Sequence, residues 1–136
     1  MTDREPSSSV DARDVVELRL PADAAYLGVV RTATAGLAAR LDFTLDEIED
    51  LRIAVDEACA ILLPDVVPGE SVDCVFALDG EVLDVTISAR IDGDHRPEQG
   101  SFGWTVLEAL TGSVESGTRD GRAYLRLRKR RGGGSA

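Results

Sequence analysis

The spacing of apolar positions along the chain switches between two periods, and the switches mark out its elements. "VVELRL", residues 15–20, alternates apolar and polar, as a strand with one wet face does, and ends at Pro21. In "ADAAYLGVVRTATAGLAARL" the period changes: Leu27, Val30, Thr34, Leu37 and Leu41 recur at helical spacing, with Arg31 and Arg40 off the stripe. A second helix has the clearest start. Thr44 can cap it and Glu47, three residues on, can reciprocate, so that two otherwise orphaned backbone donors are satisfied. Ile48, Leu51, Val55, Ala58, Cys59 and Leu62 then line one face until Pro64 stops the run. At about 100° per residue Glu57 falls roughly opposite that stripe, beside Ile53, Ala60 and Ile61.

"SVDCVFALDGEVLDVTISAR" returns to strand period and predicts a hairpin turning on Asp79-Gly80, a dipeptide that tolerates positive φ. "IDGDHRPEQG" is a polar loop. "SFGWTVLEALTG" is a short helix capped by Ser101 and ended near Gly112, and "SVESGTRDGRAYLRLRKR" is a closing hairpin. Strand, helix, helix, two strands, helix, two strands predicts an α/β two-layer sandwich, one mixed but mostly antiparallel sheet with helices on one face. A single domain is expected over residues 13–130, with a polar disordered tail at 1–12 and a flexible one at 131–136.

Charge narrows the partners. The 136 residues carry a formal net charge of −10, which disfavours nucleic acid and anionic membrane, since phosphate surfaces repel an acidic body. The terminal "YLRLRKRR" alternates as an amphipathic strand, a solvated edge face rather than a nucleic-acid site. No signal-peptide pattern and no membrane-length apolar run is visible, so a cytoplasmic protein is expected. Cys59 and Cys74 lie in apolar segments and read as reduced core residues. Asp92, Asp94 and His95 lack the further ligands a metal site needs, and His95 reads as exposed. Trp104 reads as core, whereas Phe102 can fill a vacant pocket.

At "TLDEIEDLRIAVDEA" the chain resembles the anti-sigma-factor serine kinases, the RsbW-like branch of the GHKL, or histidine-kinase-like, ATPases. "VVRTATAGLAARLDF", the "AVDEA" core of an N-box and "GSFGWTVLEAL" at the place of a G2 box carry the likeness. The resemblance implies a Bergerat-type fold and a protein that sequesters an RNA polymerase sigma factor until a STAS-type anti-anti-sigma factor competes for it. It implies further that Glu57 descends from the general base, that Arg31 contacts sigma, that Gly103 is left over from nucleotide binding, and that a homodimer forms through the first-strand region. Read without the family, Glu57 is a solvated helix carboxylate and Arg31 an ordinary surface arginine.

Departures from the family pattern point away from catalysis. Ile61 stands where the N-box has its Mg²⁺-coordinating Asn, and an apolar side chain offers the metal no oxygen. Asp65 stands where His is frequent. "RIDGDH" does not fit Asp-x-Gly-x-Gly, leaving Ala89 or Arg90 near the adenine-reading position, and the first Gly of Gly-x-Gly is Ser101. "DGDHRPEQ" is too short for an ATP lid. The expectation is a sigma-binding inhibitor with kinase activity weak or absent and no cofactor. The alternative is an active kinase that phosphorylates the anti-anti-sigma factor and uses ATP and Mg²⁺.

Overall fold

The computed structural model describes residues 14–93 and 100–132. The tail at 1–12, residues 133–136, and Asp94 and His95 with the rest of 94–99 lie outside them. The elements follow in the expected order: β1 (Asp14–Pro21), α1 (Leu27–Arg40), α2 (Leu45–Leu62), β2 (Ser71–Asp79), β3 (Val82–Arg90), α3 (Phe102–Leu110), β4 (Ser113–Arg119) and β5 (Arg122–Arg130). Single 3-10 turns, Ala24–Tyr26 and Leu63–Asp65, precede α1 and follow α2.

The five strands form one sheet in the order β1-β2-β3-β5-β4, antiparallel at every pairing rather than mixed. The reason is in the connections. Two-residue turns join β2 to β3 and β4 to β5, which forces each pair antiparallel. The connection through α3 then steps over β5, so β4 runs parallel to β3 without bordering it. The first turn falls at Gly80-Glu81, one residue later than the dipeptide predicts, because Asp79 still pairs with Val82. The second turn is Asp120-Gly121, both with positive φ, the geometry that matches strand twist.

Alternation sends Val72, Cys74, Phe76 and Leu78 of β2, Leu83, Val85, Ile87 and Ala89 of β3, and Ala123, Leu125 and Leu127 of β5 into one core. The helices cover that face with Val30 and Ala38 of α1, Leu51, Val55, Ala58, Cys59 and Leu62 of α2, and Trp104 and Leu107 of α3. Each large side chain buried here contributes about 1.5–3 kcal/mol. The capping box forms as expected, Glu47 N–H donating to Thr44 Oγ1 at 3.2 Å and Thr44 N–H to Glu47 Oε1 at 2.8 Å. The other Glu47 oxygen accepts from Gly132 N–H at 2.5 Å, and Arg131 donates to the Leu41 carbonyl at 2.9 Å. The end of β5 is thereby tied to the corner between α1 and α2.

β5 is not an edge strand, which corrects the reading of its arginines. It lies between β3 and β4, and Arg122, Arg126 and Arg128 pair with acids of β2 and β3: Arg122 with Asp73 at 2.9 Å, Arg126 and Arg128 with Asp84 at 2.8 and 3.5 Å. Strand order, which one-dimensional alternation does not carry, puts those acids within reach. Tyr124 of the same face lies over Gly117 of β4, where any Cβ would meet the ring at 2.8–2.9 Å.

Candidate functional site

α2 projects two consecutive carboxylates to its two flanks, because neighbouring residues on a helix are about 100° apart. Glu57 faces α3 and Asp56 faces α1. On the α3 side, Ser101 caps the helix, its Oγ accepting from Trp104 N–H at 3.1 Å, and Gly103 follows in the first turn. A Cβ built on Gly103 would lie 2.5 Å from Glu57 Oε2 and 3.2 Å from Ile61 Cδ1. Glycine here is therefore the seat of the Glu57 carboxylate. The arrangement is also favourable electrostatically, since the unpaired N–H groups of a helix start attract negative charge.

The structure thus brings Glu57, Ile61 and Gly103 into contact across residues far apart in the chain. Arg31 is placed elsewhere, on the opposite flank of α2. Its Nη1 donates to Asp56 at 2.7 and 3.0 Å, and both side chains are about 40% exposed. Sequence reasoning missed Asp56. The only signal was a second acid off the apolar stripe, and a separation of 25 residues hides the pairing.

The end of β3 and the residues after it are held in place. Ala89 is fully buried, Arg90 reaches Glu70 at 4.0 Å, and Ile91 is buried and bridges to Val66. Asp92 N–H donates to the Asp65 carbonyl at 3.0 Å, which leaves the Asp92 side chain at the surface. Phe102 does not fill a pocket: it is 83% exposed, because the turn that aims Gly103 at Glu57 and Trp104 into the core rotates residue 102 outward. Trp104, at 4%, is in the core as expected. Burial pushes the thiols of Cys59 and Cys74 up to about 12. Among the described residues no three His, Cys, Asp or Glu side chains converge on one point. No helix described is long and apolar enough to cross a membrane.

The element order agrees with the resemblance seen in the residues. The serine-protein kinase RsbW of Oceanobacillus iheyensis is 30% identical over 123 residues, which cover 75% of this chain and 78% of that protein. The chain belongs to the RsbW-like family. The anti-sigma-F factor RsbW of Mycobacterium tuberculosis is 34% identical over 107 residues, 79% of this chain and 63% of that protein. The serine-protein kinase RsbW of Bacillus subtilis reaches 50% identity over a stretch of 46 residues, 34% of this chain and 29% of that protein's length. No family model matches the chain. Membership gives the sandwich its kinship with the GHKL-like fold.

Proposed function

We propose that this chain is an anti-sigma factor that acts by binding, sequestering an RNA polymerase sigma factor until a STAS-type anti-anti-sigma factor competes for overlapping surface. The names of its RsbW relatives, serine-protein kinase and anti-sigma-F factor, support a place in sigma regulation. The observation that carries the choice between binding and catalysis is Ile61 beside Gly103. A Mg²⁺-nucleotide needs oxygen ligands and room for phosphates at the start of α3. Ile61 offers a methyl group, and the Glu57 carboxylate already rests against Gly103, where its charge opposes phosphate. Ala89 and Arg90 supply no carboxylate to read an adenine. These residues do not fit the nucleotide.

The kinase alternative draws on Glu57, which the resemblance matches to the general base, and on relatives named serine-protein kinase. Two measurements separate the readings. Calorimetric titration with ATP and Mg²⁺ is expected to show no saturable binding at tens of micromolar, and the intact mass of a purified STAS partner is expected to stay unchanged after incubation with this chain and MgATP. A phosphate adduct formed by this chain alone puts the kinase first.

Arg31 is the proposed sigma contact, and its bridge to Asp56 changes how it must be tested. Arg31→Glu sets two acids side by side and costs stability on its own, so a weaker complex would be ambiguous. The exchange Arg31→Asp with Asp56→Arg keeps a bridge while moving the positive charge; sigma affinity should fall at least tenfold, or more than about 1 kcal/mol, with unfolding little changed. Affinity equal to the parent's removes Arg31 from the interface. A homodimer is proposed through β1, an edge strand with Val15 53% and Val16 38% exposed. Sedimentation of a Val15→Lys, Val16→Lys variant tests it.

A further inference from the structure

The outward flank of α2, between the Asp56 and Glu57 edges, leaves apolar side chains open to water. Ile53 is 45% exposed on it and Ala60 is exposed two turns on, with Ile61 half-buried beside them. Next to these, Phe102 stands 83% exposed at the start of α3, adjoining the Gly103 that touches Glu57 and Ile61. Isoleucine and phenylalanine are among the residues most often buried, so a row of them left to water on neighbouring elements marks a surface that something covers.

Charge says what kind of surface covers it. Asp46, Glu49, Asp50 and Glu57 border the row, and of these Asp46 and Glu57 have no ion-pair partner among the described residues. An acidic rim repels nucleic acid and anionic lipid and attracts Lys and Arg. A second copy of this chain, with a formal net charge of −10, would bring more acid than base to that rim, and its Arg122, Arg126 and Arg128 are engaged by Asp73 and Asp84. Shape adds a further restriction. Ile53 and Ala60 are seven residues apart, about 10 Å along the helix axis, which matches two turns of a helix laid alongside.

We propose that this row is the docking surface for a basic amphipathic helix of a protein partner, its apolar side seated on Ile53, Ala60 and Phe102 and its Lys or Arg residues on the acidic rim. This deepens the sigma-binding reading and rests on it only for the partner's identity. The nucleotide-site residues of the family are thereby given to protein recognition, with Phe102 as the anchor.

The probe is a synthetic peptide of leucine and lysine, about 18 residues, with leucine at helical spacing. A scramble of the same composition is the control, and fluorescence anisotropy at physiological salt is the readout. The patterned peptide should bind about tenfold more tightly than the scramble, and the Ile53→Ser, Phe102→Ser double variant should lose about that factor. A Val29→Ser, Leu45→Ser variant, removing exposed apolar residues outside the row, should change binding less than about twofold. Equal affinity for patterned and scrambled peptides, or for parent and Ile53/Phe102 variant, overturns the proposal. Because both residues are exposed, the thermal midpoint of that variant should match the parent's, which shows the loss is not unfolding. The same variants are then tried on purified sigma factor. Sigma binding weakened by the Ile53/Phe102 variant supports both readings. Sigma bound equally by parent and variant overturns sigma as the occupant of this surface, and peptide bound with sigma ignored overturns the sigma reading alone.

Discussion

Gly103→Ala is the sharpest probe of the Glu57 seat. Residue 103 lies in the first turn of α3 without positive φ, so alanine gains helix propensity, about 0.5–1 kcal/mol over glycine. Against that gain stands a steric cost. The new methyl would lie 2.5 Å from Glu57 Oε2 and 3.2 Å from Ile61 Cδ1. The carboxylate is the end of a flexible side chain and can rotate away, losing its place at the helix start and a relaxed rotamer, roughly 1 kcal/mol together. The two nearly cancel, so Gly103→Ala should be neutral within about 0.5 kcal/mol in the parent. In a Glu57→Ala background the seat is empty, and the same change should stabilise by most of the propensity gain. The expected coupling in the cycle is about 1 kcal/mol. Trp104, the single tryptophan, is buried one residue away and reports urea unfolding directly. Additivity within about 0.3 kcal/mol would refute the contact, because a distant Glu57 could not sense residue 103.

Asp84, 6% exposed and held by Arg126 and Arg128, should show an asymmetry: removing both arginines strands a buried carboxylate and costs about 3–5 kcal/mol, whereas Asp84→Ala frees two half-exposed arginines to water and costs about 1–2. Equal costs by chemical denaturation would contradict this. The Thr44 backbone N–H holds the Glu47 carboxyl below the usual carboxylate range. A depressed folded value means stability present above the unfolded value and lost as pH falls through the folded one, so acid scans should show the parent losing more stability below about pH 4.5 than Glu47→Gln does. The thiols of Cys59 and Cys74, raised to about 12 by burial, should resist labelling in the native state and react on unfolding. Because their folded values lie above the unfolded one, their contribution is complete below about pH 8.5 and fades as pH rises toward 12; fast labelling of native protein at pH 8 would place them nearer the surface.

What the sequence determined by itself is what depends on a few consecutive residues. Thr44 and Glu47 meet because a helix start brings residues three apart together, and Asp120-Gly121 turns the last hairpin because both positions need positive φ. The alternation of Val72, Cys74, Phe76 and Leu78 names an inner face in the same local way. The family resemblance also singled out Glu57, Arg31 and Gly103 one by one. The tertiary structure alone decided what each of them touches. Placing β5 between β3 and β4 turned an apparent edge of arginines into partners of Asp73 and Asp84, 49 and 42 residues away. Packing α2 between α1 and α3 sent Asp56 to Arg31 and Glu57 to Gly103, and left Ile53 and Phe102 facing water. These pairings depend on which elements become neighbours once the core has collapsed, and the local periods of 2 and 3.6 residues specify a face for each side chain without naming the element opposite it.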